Sequence, residues 1–205
     1  MTSIRPPALF SRLVKSILLS LFRYKGWTVS GTRPAARQFV ITGAPHTSNW
    51  DFVFFLGVTH TLGIKPSFMG KTSLFRWPLK RFMLDMGGVP VDRSARGNYV
   101  EAMAAAFVQA KAAGRELALV VAPDGTRTNA GGWRSGFYHI ALAAGVPIVP
   151  AWVDHARMAG GVGPEIMPTG DYAADLAKIA AFYRAEMPGH PRIAHIEEIR
   201  ENVRG

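Results

Sequence analysis

From residue 38 to residue 153 the chain alternates short apolar runs with segments of helical pattern. This alternation restricts the fold more than any other feature of the sequence. QFVIT (38–42) reads as a buried strand, PSFMG (66–70) as a second, VPV (89–91) as a third, ELALVVA (116–122) as the strongest and VPIVPAWV (146–153) as the last. Between them, residues 50–62, 74–86, 97–113 and 135–144 carry helical patterns, and Gly87-Gly88, Gly114 and Gly145 close three of these. A further amphipathic helix is predicted over 171–187. The Gly/Pro-rich stretch 159–170 reads as a loop, and RIAHIEEI (192–199) fits a strand or a helix equally. Such alternation predicts a single α/β domain with a mostly parallel or mixed central sheet flanked by helices.

Ahead of this pattern, residues 8–23 have the period of an amphipathic helix about 24 Å long, at 1.5 Å per residue. Leu9, Phe10, Leu13, Val14, Ile17, Leu18, Leu21 and Phe22 form its apolar stripe; Arg12, Lys15 and Arg23 lie among the polar residues. It packs on a core, or it lies in the headgroup plane of an anionic leaflet. Charge sharpens the question. The net charge is +10, and residues 1–50 hold seven Lys/Arg and no acid, the first carboxylate being Asp51. A basic front of this kind suits nucleic acid, anionic lipid or a phosphorylated substrate. No helix-turn-helix, RRM or base-stacking signature accompanies it, so a nucleic-acid partner is not expected.

Composition removes other chemistry. The chain has no cysteine, hence no thiolate nucleophile, no disulfide and no cysteine-based zinc site. No His/Asp/Glu spacing suggests a metal. Gly161 and Gly163 lack the strand–helix context of a dinucleotide fingerprint. No apolar run reaches the roughly 18 residues of a spanning helix, and Arg12 and Lys15 interrupt any signal core. A peripheral protein at the cytoplasmic face of the cell membrane is expected, with tryptophans such as Trp27 or Trp77 as possible interface anchors.

HTSNWD (46–51) stands between two apolar runs. His46 falls in the loop after a strand, and Asp51 in the first turn of the next helix, where the dipole favours a carboxylate. Ser48 and Asn49 are good N-cap types. With a turn between them, His46 and Asp51 can meet, and a carboxylate on Nδ1–H leaves Nε2 as a base. A capping Asp beside an idle loop His is the plainer alternative. Three stretches weigh against it: GGVPVDRS (87–94) puts Arg93 past a strand, APDGTRT (122–128) puts Asp124, Thr126 and Arg127 in a turn past the strongest strand, and VPIVP (146–150) is a strand carrying two prolines. Ligands bind outside the carboxyl ends of strands in open α/β sheets, and Arg93 and Arg127 can bind a phosphate bidentately.

In order, the His46-x-x-x-x-Asp51 pair, VPVDR, PDGTR and VPIVP resemble the four motifs of the glycerolipid acyltransferases typified by 1-acylglycerol-3-phosphate acyltransferase. WRSGFYHIA (133–141) resembles the segment after the third motif. The resemblance implies an acyltransferase domain over 34–205 behind a basic membrane-contacting segment, 1–33. It implies His46 as general base on an acceptor hydroxyl and Asp51 as its orienting partner. Arg93, Asp124, Gly125, Thr126 and Arg127 would hold the acceptor's polar head, and Pro147 would shape the fourth-motif strand. The co-substrate would be acyl-CoA or an acyl-acyl-carrier protein, with no resident cofactor. Asp124 stands where the family usually has Glu, which leaves the acceptor open between lysophosphatidate, a lyso-aminolipid and another lipid alcohol. A thioester hydrolase with the same dyad and a non-catalytic lipid-binding protein are the alternatives. His60, His139, His155, His190 and His195 carry no motif.

Overall fold

The computed structural model describes residues 7–48, 50–91, 99–124, 133–191 and 196. Among the described residues, seven strands form one mixed sheet: β1 (Thr28–Ser30), β2 (Gln38–Ala44), β3 (Pro66–Lys71), β4 (Gly88–Val91), β5 (Leu117–Val121), β6 (Ile148–Asp154) and β7 (Ala159–Val162). The helices described with them are α1 (Leu9–Tyr24), α2 (Trp50–Thr61), α3 (Lys80–Asp85), α4 (Tyr99–Ala112), α5 (Gly136–Ala144) and α6 (Tyr172–Glu186). The spatial order is β1-β7-β6-β2-β5-β3-β4. β2 to β6 all run parallel, β7 is antiparallel to β6, and β1 is parallel to β7. This is the predicted α/β architecture, with an antiparallel pair added at one edge.

The central strands read as unbroken apolar runs because both faces are covered. On β2, Val40 joins Phe107, Phe137, Ile140 and Leu176 on the side of α4, α5 and α6. Its neighbours Phe39 and Ile41 point the other way, into a cluster with Phe54 and Val58 of α2 and Phe22 of α1. A third cluster, Leu56, Phe75, Phe82, Met83 and Met86, receives Val14, Leu18 and Leu19 of α1.

Two expectations need correction. Residues 159–162 are strand, not loop. Glycine made them look like a turn, yet glycine is what the edge requires: a Cβ on Gly161 would lie 2.3 Å from the Ser30 carbonyl oxygen, and one on Gly160 2.2 Å from the Phe54 ring. β1, its parallel partner, carried too few residues to be read as a strand. Residues 74–86 are not one helix. A 3₁₀ turn (Thr72–Phe75) precedes α3, because Pro78 removes a donor and turns Trp77 away from helical geometry. The undecided tail, 192–199, lies outside the described residues except Ile196, which is helical and buried.

The core-packing reading of α1 holds for part of its surface. Val14, Leu18 and Phe22 pack inward, and Phe22 lies so close to α2 that a Cβ on Gly57 would meet its ring at 2.3 Å. Asp85 of α3 accepts a hydrogen bond from the Ala8 N–H at the helix start. Leu9, Phe10, Leu13 and Ile17, four of the eight stripe residues, face solvent instead.

Candidate active site

The sheet order sets β6, β2 and β5 side by side and parallel, so their carboxyl ends open at one place. β2 ends at Ala44; the chain passes a cis Ala44–Pro45 peptide to His46 and enters α2 at Trp50. Ser48 Oγ accepts from the Trp50 N–H at 3.1 Å, as an N-terminal cap does. That start places Asp51 in the first turn, facing back over the loop.

His46 and Asp51 meet: Nδ1 lies 2.9 Å from Oδ2. The same oxygen accepts the backbone N–H groups of Thr47 and Ser48, at 2.8 and 2.9 Å. Asp51 is thus neither a bare cap nor a lone partner; its carboxylate ties the loop to the imidazole. The side chain of Asp51 is 11% exposed, and that of His46 33%. Burial pushes the Asp51 carboxyl up, but donors from His46, the Ser48 N–H, His155 and the Thr47 N–H together outweigh it and hold the group below its ordinary 3.8. With Nδ1 held by a carboxylate that is ionised at neutral pH, Nε2 is the ring nitrogen that can act as a base.

His155 is the residue that sequence reasoning missed. Its Nε2 lies 2.6 Å from Oδ1 of Asp51, so one carboxylate sits between two imidazoles. β6 ends at Asp154, whose Oδ1 accepts from the N–H groups of Ala156 and Arg157, an Asx-type turn that fixes the backbone on either side of His155. The His155 ring stands edge-on to Trp27, centroids 5.3 Å apart at 88°. No local motif marks it: the pair is 104 residues apart. Only a fold that sets β6 beside β2 brings them together.

The remaining predicted residues divide. Asp124, just past β5, reaches the site, where its Oδ2 accepts the His46 backbone N–H at 2.9 Å and braces the loop. Arg93, Gly125, Thr126 and Arg127 lie outside the described residues. Pro147 is not brought to the site. It precedes β6 at the other end of the sheet, where its carbonyl accepts from the Val40 N–H. Among the described residues no cluster of His, Asp and Glu is arranged to hold a metal ion.

Beside the His46–Asp51 pair a cavity of about 270 Å³ runs between α2 and the sheet. Ile41, Phe52, Phe55, Val58, Phe68 and Val120 are among the side chains that line it, so its wall is almost wholly apolar while its mouth carries the imidazole and the carboxylate. Such a site suits a molecule with a long apolar part and a reacting group at its end.

A family model described as Acyltransferase matches residues 27–154, which span β1 to the end of β6 and so include His46, Asp51 and Asp124. The match covers well over half of the 205 residues, and the chain belongs to this family of acyltransferases. No curated protein matches the chain.

Proposed function

We propose that this acyltransferase moves a fatty acyl group from an acyl thioester, acyl-CoA or acyl-acyl-carrier protein, to the hydroxyl of a lysophospholipid-type acceptor at a membrane surface. The observation that carries the reading is the Asp51-held imidazole at the mouth of an apolar cavity. His46 Nε2 takes the hydroxyl proton as the acceptor oxygen attacks the thioester carbonyl carbon. The tetrahedral intermediate collapses, the C–S bond breaks, and the leaving thiolate takes the proton from His46. Asp51 stabilises the imidazolium between those steps. Transfer is direct in this reading, with no acyl-enzyme, consistent with the absence of cysteine from the chain. The cavity takes the acyl chain, with each buried CH₂ contributing about 0.8 kcal/mol.

Surface chemistry supports the membrane part. Leu9, Phe10, Leu13 and Ile17 of α1 are exposed, and so are Trp77, 91% accessible, and Leu79 on the neighbouring 3₁₀–α3 segment. Arg12 and Arg23 on α1 and Lys80 of α3 add positive charge to the same elements. Each basic group near an anionic leaflet is worth roughly 1 kcal/mol. No helix among the described residues is long and apolar enough to cross a membrane, so contact is peripheral in this reading.

The test is product analysis with labelled acyl-CoA and a panel of lysolipids, each run with and without acceptor. Label is expected in a two-chain lipid, and only when the acceptor is present. Release of free fatty acid at a rate indifferent to acceptor would make the protein a thioester hydrolase and overturn the proposal. A Leu13→Ser/Ile17→Ser variant should fold as the parent does but bind anionic vesicles more weakly. Unchanged binding would remove α1 from the membrane contact.

A further inference from the structure

Asp51 carries an unequal load. Its Oδ2 receives three donors: His46 Nδ1 and the N–H groups of Thr47 and Ser48. Its Oδ1 faces His155 Nε2 at 2.6 Å. A carboxylate turns readily about its last torsion. Both amide donors lie on the loop that also carries His46, so they cannot hold the carboxylate against a shift of that loop. His155 comes from a different element, the end of β6, and grips the other oxygen.

We propose that His155 is a positioning residue for the base: its Nε2–H fixes the plane of the Asp51 carboxylate, so that Oδ2 keeps the His46 imidazole in line for proton transfer. The inference rests on the acyl-transfer reading only for its effect on turnover; the geometry it asserts stands apart from the substrate. Three features support it. The contact is short and charge-assisted, the kind that fixes geometry as well as adding energy. Nε2 donates in the neutral Nε2–H tautomer and in the imidazolium alike, so the grip survives a change of protonation at His155. And the ring is itself anchored. It stands against Trp27, which packs on Phe54 at 4.8 Å and stacks on Phe22 of α1 at 6.2 Å and 12°. His155 therefore transmits the position of the core to Asp51, and the Asx-type turn at Asp154 leaves it little freedom to drift.

The test compares His155→Gln with His155→Asn and His155→Leu in the full chain, beside His46→Ala. Glutamine places an amide donor where Nε2 stood; asparagine is as polar but too short to reach Oδ1. Two readouts are taken: kcat and acceptor KM with labelled acyl-CoA and a lysolipid, and the downfield proton resonance of His46 Nδ1–H, assigned by its loss in His46→Ala. The Leu and Asn variants should lose kcat on the order of 10²-fold, hold KM within about twofold, and shift or broaden the His46 resonance. The Gln variant should recover most of the kcat and the parent resonance. If Leu fails to fold, the Gln–Asn pair decides alone. Parent kcat with an unmoved resonance in the Asn variant overturns the proposal. So does a change confined to KM, which would make His155 a substrate contact. If the parent protein transfers no acyl group to any lysolipid, the acyl-transfer reading fails, while the resonance comparison still decides what His155 does.

Discussion

At the carboxyl end of β6 the chain turns on Asp154 and delivers His155 to Asp51. At the amino end of the same strand it leaves α5 through the left-handed Gly145, and Pro147 offers its carbonyl to Val40. That second end also has a hollow, about 340 Å³, lined by Arg37, Lys111 and Arg115 as well as Pro147. The difference lies in what the polar groups bind. At the amino end Arg37 donates to the Gly114 carbonyl and Gln38 to the Arg115 carbonyl, so side chains satisfy the backbone where α4 runs into β5. At the carboxyl end one carboxylate gathers four donors, two of them imidazoles, beside an apolar cavity. A turn and a helix start need one or two such bonds. The surplus at one end, and its absence at the other, marks where chemistry belongs.

The largest test of that contrast is His46→Ala. Losing a general base typically costs on the order of 10²–10⁴ in rate, and the fold should survive, since the imidazole is a third exposed. Acyl transfer within a few-fold of the parent, measured at saturating acceptor, would move the chemistry elsewhere. The second test uses acid. The Asp51 carboxyl is held below its ordinary 3.8, so its contribution to stability is complete above that value and is lost as pH falls through the lower folded value. Asp51→Asn should flatten that part of the pH–stability curve below about pH 4 and also cut turnover severely at neutral pH. A parent-like acid limb in the Asn variant would mean that the four donors do not act on Asp51 as described.

Legibility followed locality. His46 and Asp51 could be paired from sequence because a turn suffices to join them. His155 could not, because its partner is reached only through the register of β6 on β2, Ala44 beside Trp152. The central strands β2, β5 and β6 were readable because cover on both faces leaves an apolar run that little else produces. The edge pair was not: close approach of β7 to Ser30 and Phe54 demands glycine, and glycine in a sequence signals a turn. The α1 stripe mixed two apolar faces that helical periodicity alone did not separate: Val14, Leu18 and Phe22 turn inward, Leu13 and Ile17 outward.

The third test asks what keeps the two strands of the site together. Tyr183 of α6 is fully buried, and its hydroxyl donates to the carbonyls of Thr42 on β2, at 2.6 Å, and Ala151 on β6, at 3.0 Å. Burial pushes its pKa well above the ordinary tyrosine value, so it stays a neutral donor. Tyr183→Phe leaves buried acceptors short of a partner and should cost about 1–3 kcal/mol in denaturant unfolding. Turnover should fall less than stability, because His46, Asp51 and His155 keep their own bonds. A stability change near zero would mean that the Tyr183 hydroxyl adds nothing to the backbone ladder that already joins the strands.

The smallest effect is expected at the amino end, and it separates the two possible donors. Lys111→Glu reverses a charge beside the Arg37–Arg115 hollow. A seven-residue strand such as β6 is about 23 Å long at ~3.3 Å per residue, and the Debye length at physiological ionic strength is about 8 Å. A charge at that distance is screened from Asp51. With acyl-CoA as donor, kcat and KM should stay within about twofold of the parent. An acyl carrier protein is different in kind: it is a large acidic partner, able to touch a basic surface far from the atoms that react. If Lys111→Glu raises KM for the acyl-carrier donor alone, in a salt-dependent way, the basic hollow is where that carrier rests. The two ends would then divide the work, one holding the carrier and the other moving the acyl group. If neither donor responds, Arg37, Lys111 and Arg115 serve only the turn they line, and the contrast between the ends stands as drawn.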